Sequence, residues 1–290
     1  MHINELLRAG TVALEKADVV SPGTDARVLL QHCLGKNRIE LLLHGDENVE
    51  ESRESFYFKC IARRVNHEPV AYILGQCEFW SLPFNLTNDV LIPRPETEFL
   101  LDRVLTIANK ENLTRGRILD LCCGSGVISV VLARETGQRI LAVDISPEAL
   151  AVAAMNRDDH ALTSRIDLLC SDLCSALCRK TRFSLIVTNP PYVSTSAIQY
   201  SLEKDVAGFE PHLALDGGEK GLDVIGRIRA VMPLMLLPGG EIFMEIGADQ
   251  GEAVENIFLE NETVLPGFVQ VKIITDYAGL DRVLYAQLEY

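Results

Sequence analysis

A chain of 290 residues, 48% of them hydrophobic and 23% charged, is globular in composition and long enough for one large domain plus a smaller one. Its 41 acidic against 27 basic side chains leave a net charge of −14, which argues against a surface that tracks nucleic-acid phosphates and favours a protein or small-ligand partner. No apolar run reaches membrane-spanning length, and Met1-His2-Ile3-Asn4-Glu5 lacks the basic and then apolar order of a signal peptide, so the expectation is a cytoplasmic protein with no membrane partner.

In a reducing compartment the eight cysteines read as small apolar residues. Cys170, Cys174 and Cys178 have the spacing of a helical ligand row, but Cys170 ends a strand-like run, so no metal is expected. The six histidines are scattered and none neighbours a motif.

Residues 3 to about 68 carry helical periodicity, with Leu6, Ala9, Ala13, Leu14 and Ala17 on one stripe and a second helix opening at Asp25 and closing before Gly35. This predicts a small helical domain over 1–75 that offers no chemistry and would hold a partner. Pro69 breaks the pattern, and Val70 to Ile73, Phe79-Trp80 and Phe84 to Leu86 suggest a hairpin, placing a connecting segment over 76–91. A third region, 92–290, starts with Ile92-Pro93-Arg94-Pro95-Glu96-Thr97-Glu98, where prolines and first-turn acids mark a helix start.

From there strands and helices alternate. Strands are expected at 117–121, 139–143, 166–170, 183–187 and 241–246, and helices at 126–136, 147–158, 221–237 and 250–262, the signature of a parallel sheet covered on both faces. Two last strands, 268–275 and 282–288, form a hairpin around Gly279.

Ile118-Leu119-Asp120-Leu121-Cys122-Cys123-Gly124-Ser125-Gly126 is an apolar strand feeding a glycine-rich turn, where a ligand can approach bare backbone. Asp144 closes the next strand about 20 residues on, where a carboxylate can accept both hydroxyls of a ribose. Asp172 follows the third strand and can accept from an adenine amino group, with the backbone of Leu173 beside the ring. Ser129 stands where the third glycine of a dinucleotide fingerprint would be, and no pyrophosphate site is evident, so S-adenosylmethionine fits better than NAD. Asp120 then has two readings, an acceptor for the cofactor's ammonium or an acid bonded to its own turn.

Thr188-Asn189-Pro190-Pro191-Tyr192 leaves the apolar strand 183–187 as an extended loop, because each proline drives the residue before it out of the α region. The amide oxygen of Asn189 and the carbonyl of Pro190 make two acceptors for a planar NH2 group, and Tyr192 can cover its flat face. The string resembles the Asn-Pro-Pro-Tyr signature of methyltransferases that modify planar nitrogens, in glutamine side chains or in adenine of DNA. With Asp25 to Leu30, Arg63-Arg64, Glu68 to Gly75, Ile92 to Glu98, Phe209-Glu210-Pro211, Leu213 to Gly218, Glu245-Ile246-Gly247 and Gln250-Gly251 added, the chain resembles the bacterial release-factor glutamine methyltransferases nearly end to end.

That resemblance implies an α/β class I S-adenosylmethionine-dependent methyltransferase, a Rossmann-like mixed sheet with a C-terminal antiparallel hairpin plus a small N-terminal helical bundle. It implies an enzyme that methylates the N5 amide nitrogen of the glutamine in the Gly-Gly-Gln loop of class I peptide chain release factors, a monomer leaving S-adenosylhomocysteine as product. It further implies cofactor contacts from Asp120, Cys122, Cys123, Gly124, Ser125, Gly126, Asp144, Ile145, Asp172, Leu173 and Asn189, and catalytic and substrate contacts from Asn189, Pro190, Pro191 and Tyr192, with Arg94 on the substrate side. The family carries Gly-Thr where this chain has Cys122-Cys123, and a positive φ at 122 would strain a cysteine. An amide nitrogen is a poor nucleophile, so positioning by acceptors on its protons would carry the reaction, with no His or Glu seen in the loop. The alternatives from other classes are a DNA adenine N6-methyltransferase and a cofactor-binding module without catalysis.

Overall fold

The computed structural model describes residues 1–178, 180–200, 204–260 and 266–289, and the chain divides into two compact units. The first begins with five helices: α1 (Ile3–Glu15), α2 (Pro22–Leu34), α3 (Arg38–Leu43), α4 (Glu51–Val65) and α5 (Val70–Leu74). Pro22 sits at the start of α2 and Gly35 closes it at φ 65°, as local chemistry dictates. Asn37 caps α3 by accepting from the Ile39 and Glu40 amides at 2.9 and 3.0 Å, while Glu40 accepts from the Asn37 amide at 2.7 Å.

Beside its apolar core this unit holds a buried cation. Arg64, 5% exposed, donates from Nε to Asp25 at 2.7 Å and pairs through its other arm with Asp205 at 2.7 Å. It also donates to the carbonyl of Glu68 at 3.2 Å. Asp205 belongs to the segment after Leu202 that joins this unit from far along the chain.

The second unit opens with a two-stranded ribbon, β1 (Gln76–Phe79) and β2 (Leu82–Asn85), and continues α6 (Pro95–Ile107), α7 (Lys110–Arg115), β3 (Ile118–Leu121), α8 (Val127–Thr136), β4 (Ile140–Asp144), α9 (Pro147–Asp159), β5 (Ile166–Cys170), β6 (Phe183–Thr188) and α10 (Thr195–Tyr200). The chain then contributes α11 (Lys204–Phe209) to the first unit and returns for α12 (Asp223–Met235), β7 (Leu236–Glu245), α13 (Gly251–Leu259), β8 (Lys272–Thr275) and β9 (Asp281–Gln287). Strand order is β5-β4-β3-β6-β7-β9-β8, parallel through β7, with β9 antiparallel on β7 and β8 on β9. Every residue of β3 and β6 is buried, as expected of central strands covered on both faces. One face packs Val130, Val131, Leu185 and Phe243, the other Leu119, Ile186, Ile242 and Leu284.

The mixed sheet with its terminal hairpin and the helical N-terminal region agree with the sequence expectation, while three local features differ. Val70 to Ile73 is helix and not part of the hairpin: Pro69 supplies the N-cap at φ −57°, Tyr72 and Ile73 turn inward, and Gly75 ends the turn at φ 71°. Burial on one face thus overrides the strand preference of Val and Ile. β7 begins at Leu236, not Glu241, because the residue before Pro238 is driven extended and α12 stops at Met235. Phe268 makes an isolated bridge to Leu288, and the continuous strand starts only at Lys272.

Sequence order reverses direction across the sheet at β3, whose neighbours are β4 on one side and β6 on the other. A crevice opens at the carboxyl ends of strands at such a switch point. The register sets Leu121 beside Thr188, so the turn after β3 and the loop after β6 emerge side by side.

Candidate active site

Those two segments border a cavity of about 370 Å³. Its floor is the turn after β3. The Cys123 amide donates to the Val143 carbonyl at 3.0 Å and the Gly126 amide to the Cys123 carbonyl at 2.8 Å, bending the chain into α8. Gly124 and Gly126 adopt φ of 52° and 80°. A Cβ on Gly124 would meet nothing within 4 Å, so backbone conformation is the requirement there, whereas one on Gly126 would stand 3.1 Å from Cβ of Ala153 on α9.

Cys122 adopts φ 61°, the left-handed conformation that the family's glycine would take without strain. Burial holds the thiols of Cys122 and Cys123 well above the ordinary range, so neither is a thiolate at neutral pH.

Asp144 ends β4 and braces this turn. One carboxylate oxygen accepts from the Gly124 amide at 2.8 Å and the other from the Ser146 amide at 2.9 Å. Burial raises its pKa against the pull of those amides. A carboxylate has about four lone-pair sites, so Asp144 retains capacity for hydroxyl donors.

Across the cavity stands Asn189. The hydroxyl of Thr188 donates to the Leu121 carbonyl at 2.7 Å and fastens the end of β6 to β3. Asn189 then donates from Nδ2 to the hydroxyl of Thr97, 3.1 Å away in the first turn of α6. Thr97 in turn donates to Glu245 at 2.7 Å, and Tyr192 donates to the other oxygen of the same carboxylate at 3.0 Å. Glu245 has no exposed surface; burial pushes its pKa up to about 7, against the two hydroxyl donors, with Glu96 adding to the rise and Arg282 opposing it.

Cys122, Cys123, Gly124, Ser125, Asp144, Ile145, Asp172, Leu173, Asn189 and Pro191 all border the cavity. Asp172 does so while accepting both 2.6 and 2.7 Å bonds from Arg227, which also lines the cavity. Gly126 lies behind the turn. Asp120 lies beneath it with no exposed surface: Oδ2 accepts from Ser129 at 2.6 Å, Oδ1 has no hydrogen-bond partner among the described residues, and burial pushes the pKa up to about 7.

Pro190 is buried and borders no part of the cavity, and Tyr192 turns its hydroxyl to Glu245. Arg94 is held by Glu210 at 2.5 Å, a pair that ties the start of α6 to the segment before Pro211, and it too stands outside the lining.

Sequence reading found no acid at the Asn189 loop, yet Glu245 is there. It lies 53 residues beyond Tyr192 and reaches the loop only because β7 pairs with β6, setting Met244 beside Thr188. The signal available was position: an acid at the carboxyl end of a buried parallel strand. Thr97 reads from the sequence only as part of a helix start, and Leu91, Pro93 and Leu213 complete the walls, the last two from segments that carried the family resemblance without a site role.

Residues 5–75 match the family described as PrmC N-terminal domain, and residues 96–220 match the methyltransferase small domain. The structure also superposes on a Pyrococcus furiosus methyltransferase (TM-score 0.54, 15% identity, 79% of this chain and 98% of that one) and on a T. thermophilus 16S rRNA methyltransferase (TM-score 0.51, 22% identity, 73% and 49%). Fold and site therefore define a class I methyltransferase. Among sequence relatives, the release factor glutamine methyltransferase of Koribacter versatilis is 38% identical over 98% of both chains, that of Vibrio cholerae 39% over 98% of this chain and 96% of its own, and that of Clostridium acetobutylicum 39% over 90% of both. This chain belongs to the release factor glutamine methyltransferase family.

The two cysteines of the turn should respond unequally to replacement. Cys122→Gly removes a left-handed strain worth about 1–2 kcal/mol and offsets the lost side chain, leaving stability within about 1 kcal/mol of the parent. Cys123→Gly, at a buried position without positive φ, should cost about 1–2 kcal/mol. Urea denaturation of both variants checks this, and equal losses would contradict it.

Proposed function

We propose that this protein transfers a methyl group from S-adenosylmethionine to the side-chain amide nitrogen of the glutamine in the Gly-Gly-Gln loop of peptide chain release factors, acting in the cytoplasm as a monomer. The observation that carries the reading is the placement of Asn189, whose amide is held by its nitrogen from behind and whose oxygen is left for a substrate N–H. The net charge of −14 supports a protein substrate over a nucleic-acid one.

The residues present fit the cofactor. Asp144 offers acceptors at the strand end where a ribose would lie, Cys122 to Ser125 offer open backbone, and beneath that turn Oδ1 of Asp120 is a buried acceptor left unpartnered among the described residues. Asp172 and Leu173 would meet the adenine, with Asp172 shared between that ring and Arg227. When bound, the cofactor supplies a methyl group on a cationic sulfonium. The Asn189 oxygen accepts from the glutamine amide and aims its nitrogen, which favours the charge that develops there during transfer. The extended Pro190-Pro191 backbone keeps this acceptor from drifting, and the proton released leaves to water.

Residues 1–75 act as the substrate-recognition unit in this proposal and 92–290 as the catalytic one, while the connecting segment 76–91 falls almost wholly in the same compact unit as the latter and supplies Asp89, Val90 and Leu91 to the cavity. The support is that every cavity-lining residue lies beyond 88, while α3 exposes Leu42 and Leu43 at 74% and 75%.

Mass spectrometry of a release factor incubated with the protein and S-adenosylmethionine, beside a duplex DNA control, tests the substrate. One added methyl on the loop glutamine is expected, and labelling of DNA adenine would overturn the assignment. Asn189→Ala should lower turnover about 100-fold, as expected for about 2.7 to 4 kcal/mol of lost transition-state contact, with cofactor affinity unmoved. Asp144→Ala should instead weaken cofactor binding by about 1.5–3 kcal/mol in calorimetry, and an unchanged affinity would remove it from the ribose role. Replacing Leu42 and Leu43 with Glu should raise KM about fivefold for a whole release factor, a loss near 1 kcal/mol, while leaving a short Gly-Gly-Gln peptide unaffected; equal KM values on the whole factor would refute the recognition role.

A further inference from the structure

Three hydrogen bonds behind Asn189 run in one direction while Glu245 is ionised. Glu245, when ionised, can only accept. It takes the single hydroxyl proton of Thr97 at one oxygen and that of Tyr192 at the other, at 2.7 and 3.0 Å. Having given its proton away, Thr97 meets its other neighbour as an acceptor, so Asn189 faces it with NH2 at 3.1 Å and not with its carbonyl. Oδ1, on the opposite branch of the planar amide, is left for the cavity that both Asn189 and Thr97 border. Thr97 is 2% exposed and Glu245 fully buried, so bulk water does not scramble the chain of donors.

The three contributors arrive from separate elements. Thr97 comes from the first turn of α6, Glu245 from the end of β7 and Asn189 from the end of β6, and β6–β7 pairing fixes the last two. We propose that Thr97 and Glu245 are positioning residues that set the orientation of the Asn189 amide, presenting an acceptor toward the substrate and so selecting a side chain that arrives with an N–H donor. This rests on the glutamine-amide reading above and deepens it.

An isolated Asn side chain has no strong preference between its two flipped states, because oxygen and nitrogen differ little in size. A flipped Asn189 would aim NH2 at the incoming NH2 group, two donors facing each other, and that fraction of enzyme would bind cofactor without transferring. The device therefore acts on the rate of transfer and leaves cofactor affinity alone.

The test is a double-mutant cycle in the full-length protein, with a Gly-Gly-Gln peptide as substrate. Thr97→Val keeps the shape and removes the hydroxyl; it should lower kcat about tenfold, the worth of one orienting hydrogen bond, with S-adenosylmethionine affinity by calorimetry unchanged. Thr97→Ser should restore most of that loss. In an Asn189→Ala background Thr97→Val should have no further effect on kcat, because nothing is left to orient. Glu245→Gln, which puts a donor among the acceptors at constant volume, serves the same cycle should Thr97→Val not fold, and should likewise lose its effect once Asn189 is gone.

Additive losses in the cycle, or a serine variant no better than valine, would overturn the inference while leaving the substrate assignment intact. Should the wild-type protein bind S-adenosylmethionine yet leave the glutamine unmodified, the substrate assignment itself fails and this inference goes with it.

Discussion

The parallel pairing of β3 with β6 is the constraint on which the site depends. It sets Leu121 beside Thr188, and the Thr188 hydroxyl closes the pair on the Leu121 carbonyl, so the glycine-rich turn and the Asn189 loop share one edge of the sheet. Both strands are buried on both faces, and a one-residue slip of register would turn every side chain they carry into the opposite packed layer and undo the packing of both. The hydrophobic cost of misalignment thus holds two chemically unrelated loops in fixed relation. Site geometry here is a by-product of core packing, with hydrogen bonds refining what the sheet has already set.

Charge is handled by enclosure. Asp120 and Glu245 are both without exposed surface and both pushed up to about 7, one beneath the turn and one beneath the loop. Each is met by hydroxyls: Ser129 for Asp120, Thr97 and Tyr192 for Glu245. Because their pKa values rise on folding, ionisation of these acids opposes the folded state, and their contribution to stability declines as pH climbs from the ordinary carboxylate range through about 7. Two acids kept at such cost are better explained by what they orient than by what they stabilise. Arg64 in the N-terminal unit is handled differently, a buried cation joining Asp25 and Asp205, whose carboxylates outweigh the cost of burial and keep it charged.

Much of this was legible in the chain. Turn residues announce themselves: Gly124 and Gly126 at positive φ, Pro190 and Pro191 forcing extension, Asp144 at a strand end. The strain at Cys122 was readable too, since a glycine is the natural occupant of that conformation and its φ is 61°. Val70 to Leu74 resisted because a five-residue segment has too little periodicity to reveal which face is buried. Tyr192 resisted differently: an aromatic beside an acceptor pair suggested a cover for the substrate, yet its hydroxyl found Glu245, a partner no local pattern exposes.

What the sequence by itself determined is whatever local sterics and periodicity govern: the helical N-terminal region, the alternating strands and helices, the bend after β3 and the stiff loop after β6. These follow from side-chain branching, glycine freedom and proline restriction within a few residues. Only the tertiary structure decided that Thr97, 92 residues before Asn189, would accept from it, that Glu245 would sit behind both, and that Asp205 would close on Arg64. Those contacts depend on sheet register and on which layers exclude water, and burial of that kind is a property of the packed whole, which alone sets the carboxylate pKa values and the direction of each hydrogen bond.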